Sequence, residues 1–146
     1  MMLKQISVFL ENRQGTLAAA TQVLGDHGID LIALSIADTT DFGIMRCIVN
    51  KPEQAAQLLQ EAGFTVSTTE VLAVEVPDVP GGLAKVLQIL DQSGISVEYL
   101  YSFVRSHTDH ALILFRVENN ALCMKVLKEN DIHFFYGEKI LSLIHI

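Results

Sequence analysis

The chain has 146 residues, half of them hydrophobic, and a formal net charge of −7. That length and apolar content allow one ordinary domain or two small ones around a real core. The acidic balance and the absence of any Lys/Arg run argue against nucleic acid and anionic membrane as partners; solubility is sufficient reason for the charge.

The N-terminal stretch "MMLKQISVFLENRQ" has neither an apolar h-region nor a small-residue cleavage site. No signal peptide is expected, no apolar run approaches a membrane span, and the cytoplasm is the expected compartment. The first element is a strand. "KQISVFLE" alternates, with Ile6, Val8 and Leu10 on one face and Gln5, Ser7 and Phe9 on the other. Leu17, Thr21, Leu24 and Gly28 follow at helical spacing, and Gly28 is a natural helix stop. A second strand starts at Ile29 and runs over about Asp30–Ala37, and "FGIMRCIVN" reads as a third. A helix over Pro52–Ala62 places its proline in the first turn, where the missing N–H costs nothing. A short strand at Thr65–Thr69 closes the set.

The same order then repeats. "VLAVEVP" is a strand with Leu72, Val74 and Val76 inward, and Leu83, Val86, Leu87 and Leu90 mark a helix that stops at Gly94. Strands follow from Ile95 over about Ser96–Val104 and at "DHALILFRVE", then a helix over Asn120–Asn130 and a strand at His133–Tyr136. A shift of 66 residues brings Gly15, Leu17, Ala18, Gln22, Leu24, Gly28 and Ile29 onto Gly81, Leu83, Ala84, Gln88, Leu90, Gly94 and Ile95. Beyond "SHTDH" the offset is 68, so Leu59 meets Leu127 and Phe64 meets Ile132. Two copies do not make a solenoid. They make a duplicated small domain of order βαββαβ, residues 1–69 and 70–146, each ferredoxin-like with two helices on one face of an antiparallel sheet. A half-chain of about 70 residues is marginal alone. The stretch "KILSLIHI" exceeds the repeat and is expected to pair with or cover a sheet edge.

Both copies put their distinctive polar residues at the first strand-to-helix turn, "LENRQGTL" and "VPDVPGGL". Glycine there lets the chain turn and lets another molecule come close, so a Cβ at Gly15 or Gly81 is expected to intrude on a ligand. The first N–H groups of a helix lack internal partners and favour an anion such as a carboxylate. Asn12 and Asp78 occupy equivalent positions and can accept from an ammonium group. Two readings stand at this point: a carboxylate cradle with an ammonium acceptor, or a helix start capped by its own Asn or Asp. Neither turn matches GxGxxG or GxxxxGK[ST].

"DVPGGLAKVLQILDQSGISV" closely resembles the first half of the ACT domain, the small ligand-binding unit of amino-acid metabolism. "ENRQGTLAAATQVLGDHGIDL" resembles it too, with Gln14 where the family usually has proline. The resemblance covers nearly the whole chain as two copies. It implies two units side by side through their second strands, "LIALSIA" and "VEYLYSFV", in an eight-stranded antiparallel sheet with helices on one face. It implies effector sites between that edge and the turns, lined by Asn12, Arg13, Gln14, Gly15, Thr16 and Leu17 in the first copy. In the second copy the lining is Asp78, Val79, Pro80, Gly81, Gly82 and Leu83, with Ser35 and Tyr101 contributed by the second strands. The implied function is a non-catalytic amino-acid-binding sensor or regulator with no cofactor. Its expected partners are a free L-amino acid, an enzyme or regulatory protein, and further copies of the chain. A regulatory subunit of an amino-acid biosynthetic enzyme is one alternative. A small acylphosphatase-type hydrolase is another, suggested by Arg13 beside Asn12.

The remaining constellations are bland. His107, Asp109 and His110 cluster in an expected hairpin loop, where a solvated loop is the better reading than a metal site. Tyr99 and Tyr101 share a strand face. No serine has a nucleophile-elbow context. Cys47 and Cys123 are isolated and are expected to be buried, reduced thiols.

Overall fold

The first strand buries its apolar face, and Gln5 and Ser7 on the opposite face are buried as well. In the computed structural model, which describes residues 2–11, 13–38, 42–103 and 110–137, β1 spans Leu3–Glu11 and buries Ile6, Val8 and Leu10. Then come α1 (Thr16–Asp26), β2 (Leu31–Asp38), β3 (Phe42–Val49) and α2 (Pro52–Glu61). β4 runs over Thr65–Pro77, followed by α3 (Gly82–Gln92), β5 (Val97–Ser102), β6 (His110–Val117), α4 (Asn120–Glu129) and β7 (Phe134–Phe135). The fold is mixed α+β, with four helices and seven strands among the described residues.

The count of seven corrects the expected eight. Thr65–Thr69 and the strand through Leu72–Val76 are one 13-residue strand, "TVSTTEVLAVEVP". Nothing in it breaks a strand: it has no Gly, no Pro before Pro77, and it is rich in β-branched residues.

The chain divides into two compact units, Lys4–Thr69 and Glu70–Ile146 with Met1–Leu3. In the first, the strand order is β2-β3-β1, and both pairs are antiparallel. In the second it is β5-β6-β4-β7, again antiparallel throughout. That order (second, third, first, fourth strand) is the ferredoxin-like one. β2 is paired with β3 and β5 with β6. The expected pairing of "LIALSIA" with "VEYLYSFV" is not among the strand pairs of the described residues. The "KILSLIHI" stretch and residues 107 and 109 of the histidine cluster lie outside the described residues.

Each unit has its own core. Ile6, Val8, Leu24, Met45, Cys47 and Leu59 anchor the first. Leu72, Val74, Leu90, Phe115, Cys123 and Leu127 anchor the second. Residues 59 and 127 are the pair that the 68-residue offset aligns.

Local geometry is duplicated as faithfully as sequence. α1 and α3 stand 66 residues apart, α2 and α4 68 apart. β2 carries a register shift between Leu31 and Ala33, and β5 carries one at the equivalent Val97 and Tyr99. All four helices close by the same C-terminal motif. In α1, Gly28 N–H donates to the Gly25 carbonyl and Ile29 N–H to that of Leu24, at 3.1 and 3.0 Å. The α3 equivalents are Gly94 to Asp91 and Ile95 to Leu90. In α2 they are Gly63 to Gln60 and Phe64 to Leu59, and in α4 Asp131 to Lys128 and Ile132 to Leu127. The motif needs a left-handed residue, and the three glycines supply φ of 68°, 75° and 96°. At the fourth place Asp131 adopts φ 57°, the one non-glycine with positive φ among the described residues. Aspartate tolerates this better than most residues.

Candidate ligand-binding site

The two strand-to-helix turns are built alike. After β1, Arg13 N–H donates to the Glu11 carbonyl at 2.8 Å; after β4, Val79 N–H donates to the Pro77 carbonyl at 2.9 Å. Gly15 (φ 91°, ψ −11°) and Gly81 (φ 82°, ψ −3°) are then the N-caps of α1 and α3. Each accepts the first helical hydrogen bond, from Ala19 and Lys85, at 2.9 and 3.0 Å. No side chain caps either helix. The reading in which Asp78 caps its own helix is therefore set aside. Asn12 lies outside the described residues.

The two hinge glycines have a backbone reason of their own. A Cβ built on Gly15 or Gly81 meets nothing within 4 Å. It is the left-handed backbone that demands glycine there. The sterically obligate glycine is Gly82, whose Cβ would stand 2.1 Å from the Pro77 carbonyl oxygen. The equivalent position in the first copy is Thr16, whose Oγ1 donates to the Arg13 carbonyl at 2.9 Å. The two turns thus share hydrogen bonding but differ in how closely strand and helix approach.

Around these hinges the turn surfaces are open. Arg13, Gln14, Asp78, Val79 and Pro80 are exposed, Thr16 and Leu83 half-buried, and Gly82 buried. Arg13 pairs with Glu11 at 3.1 Å in full solvent exposure, a contact of little energetic weight. Leu17, expected on the packed face of α1, is 42% exposed; Ala20 and Leu24 carry that face instead.

Ser35 and Tyr101 occupy equivalent places on β2 and β5, opposite Arg46 and Leu114. Both are half-buried, and Tyr101 stacks on Tyr99 with ring centroids 6.5 Å apart. Within each unit a strand (β3 or β6) separates the second strand from the strand that leads into the turn. One unit therefore does not bring its own turn and its own Ser35 or Tyr101 together.

Two hollows in the second unit escaped sequence reasoning, because their walls come from distant positions. One, of about 590 Å³, lies at the C-terminal end of α3 and the N-terminal end of α4. Several of its polar groups are engaged, but among the described residues the Asn120 Oδ1 is buried without a hydrogen-bond partner. Asn119 caps α4 by accepting from Leu122 N–H at 3.0 Å, Asn120 Nδ2 donates to the Glu70 carbonyl at 3.2 Å, and Glu98 pairs with Arg116 at 3.3 Å. The other, of about 210 Å³, lies behind the second turn and takes Pro77 and Gly82 into its wall. Among the described residues no group of three or more His, Cys, Asp or Glu could hold a metal ion, and no helix is long and apolar enough to cross a membrane.

Twin ferredoxin-like units, each with an uncapped, glycine-hinged turn into its first helix, define a class of duplicated small α+β domain. A family model described as an ACT domain pair matches residues 1–144, and the chain belongs to that family. It is similar to protein BT0572 from Bacteroides thetaiotaomicron, at 40% identity, TM-score 0.89, and 98% of each chain covered. It shares its fold with the regulatory subunit of aspartate kinase from Thermus thermophilus, at 17% identity and TM-score 0.62 over 88% of this chain and 93% of that one. The Thermus flavus regulatory subunit is similar at 14% identity and TM-score 0.60, covering 88% and 92%. No curated protein matches the chain.

Proposed function

We propose that this chain is a non-catalytic regulator that binds a free L-amino acid, each half (residues 1–69 and 70–146) acting as one ACT domain. The observation that carries this reading is the turn written twice. Both copies leave a helix N-terminus without a side-chain cap, behind a left-handed glycine whose surroundings are open. Such a terminus offers backbone N–H groups and the positive end of the helix dipole to a carboxylate. Asn12 and Asp78 are the proposed ammonium acceptors, with Arg13, Gln14, Thr16 and Leu17, and Val79, Pro80, Gly82 and Leu83, around them. Because β3 and β6 stand between turn and second strand, Ser35 and Tyr101 complete a site only by facing the turn of another unit. An ACT interface would supply that. Membership of the ACT domain pair family supports the reading.

Calorimetric titration of ligand-free protein with each of the twenty L-amino acids tests it. Binding in the micromolar-to-millimolar range by at least one is expected; none at several millimolar would sink the proposal. A second reading is service as a regulatory subunit of an amino-acid biosynthetic enzyme; the similar Thermus proteins are regulatory subunits of aspartate kinase. Capture of a biosynthetic enzyme by the tagged chain from native cells, weakened by the amino acid, is its test.

A further inference from the structure

In the first unit, the sheet face turned away from the helices carries an arginine beside an exposed aromatic pair. Strand register fixes the arrangement. Ile6, Val8, Met45 and Cys47 pack with Leu24 and Leu59 of the helices, so the residues alternating with them lie on the other face. There Arg46 of β3 stands between Ser7 of β1 and Ser35 of β2. The next row is Phe9, Ile44 and Ala37, and Phe42 follows beyond Ile44 on β3. Neighbours across such rows have Cβ atoms roughly 5 Å apart. Burial falls along the face. Gln5 and Ile48 are fully buried, Arg46, Ser35 and Ile44 half-buried, and Phe9 and Phe42 39% and 40% exposed. The two rings pair with centroids 6.0 Å apart.

Among the described residues, Arg46 is the one cationic side chain that β1, β2 and β3 place on this face. The one carboxylate there, Glu11, lies beside Phe42 and pairs with Arg13 at 3.1 Å. The second unit lacks the combination. The equivalents of Ser7, Arg46 and Ser35 are Ala73, Leu114 and Tyr101, and those of Phe9 and Phe42 are Glu75 and His110. Charge complementarity names the occupant. A guanidinium presents a fork of N–H donors that matches a carboxylate, and a serine hydroxyl beside it adds a donor. The adjoining rings offer apolar surface to whatever that carboxylate is attached to.

We propose that this face binds a small carboxylate with an apolar body and no cationic group, such as an aryl or branched aliphatic acid. The carboxylate lies on Arg46 and Ser35, and the body on Phe9, Ile44 and Phe42. An ammonium on the ligand would be brought close to the Arg46 charge, so free amino acids are disfavoured here. The site is separate from the helix-start turns, and each chain holds one, in its first half.

The test is a titration of the isotope-labelled chain with phenylacetate and isovalerate, followed through its amide NMR signals. Acetate, phenylacetamide and L-phenylalanine are the controls, lacking the body, lacking the charge and adding an ammonium. At least one of the two acids should give saturable shifts at the amides of Val8–Leu10 and Gly43–Cys47, with each control at least tenfold weaker there. Arg46→Gln should raise Kd about ten- to a hundredfold, the usual loss for a hydrogen bond to a charged group. Phe42→Ala, at an exposed position, should raise it severalfold and keeps the test valid if Arg46→Gln disturbs the sheet. Shifts from L-phenylalanine confined to the starts of α1 and α3 would support the separation of the two sites. No saturable shift at these strand amides with either acid at several millimolar overturns the proposal. So does phenylacetamide binding as well as phenylacetate, or wild-type affinity in both variants.

Discussion

At Gly82 a single methyl group decides whether the second turn can close. A Cβ 2.1 Å from a backbone carbonyl cannot be relieved by a rotamer change, so the strand end or the helix start has to move. Gly82→Ala should cost about 3 kcal/mol, read as a lower urea midpoint at unchanged slope. Gly81→Ala meets open space and should cost only the left-handed penalty, about 1–2 kcal/mol. Asp131→Gly should run the other way and raise stability by up to about 1 kcal/mol, because it restores the residue that Gly63 supplies in the first copy. Sequence reading singled out Gly81 over its neighbour, since a left-handed hinge has a turn signature. A close approach between backbones has none until the coordinates show it. Burial sets the two thiols: it pushes Cys47 up to about 12 and Cys123 up to about 11 from the ordinary thiol value of 9.0. Both stay protonated in the folded chain while the unfolded chain ionises near 9, so the folded state binds more protons in that window. Stability should therefore be full below pH 9 and fall as pH climbs towards 11 and 12. A thiol reagent should label neither cysteine in the native protein and both on unfolding. In Cys47→Ala the alkaline slope should be shallower. Equal slopes for the two proteins contradict the assignment.

Elements were readable where their ends carry chemistry. Three of the four helix ends have a glycine one residue past the C-cap, and the sequence marks them plainly. The fourth has Asp131 and is revealed only by its alignment with Gly63. The start of α4 has a true side-chain cap, Asn119 Oδ1 accepting from Leu122 N–H at 3.0 Å, whereas α1 and α3 begin on glycines. Asn119→Ala should cost about 1 kcal/mol, measurable by thermal unfolding; no change would mean that the cap is replaced by solvent. β4 was misread because a repeat demands that one copy end before the next begins. The chain obeys a simpler rule: without Gly or Pro between Thr65 and Val76, a β-branched segment has no reason to stop. Leu17 was misplaced for a related reason. Helical spacing puts it with Leu24, but periodicity does not say how far the packed face extends towards the helix start, and at the first turn of α1 it ends before Leu17.

At the scale of the whole molecule, duplication is what made the turns visible. One Asn-Arg-Gln-Gly or Asp-Val-Pro-Gly turn is an ordinary helix start; the same turn twice, 66 residues apart, in matching βαββαβ units is a constraint. The geometry bears out the equivalence down to the shared register shifts of β2 and β5. The cavity behind the second turn was invisible for the opposite reason. Its lining residues, from Glu75 to His133, are spread over nearly sixty positions, and only the packing of α3 and the α4–β7 connection about β4 forms it. Family membership and the uncapped turns lead to one central claim, that the folded chain binds a free amino acid. Thermal unfolding of rigorously ligand-free protein against the twenty L-amino acids tests it most directly. A ligand at a hundred times its Kd that binds only the native state adds about 2.7 kcal/mol, an upward shift in Tm that is easily read. At least one amino acid should produce a saturable shift. Twenty flat responses at several millimolar would contradict the claim.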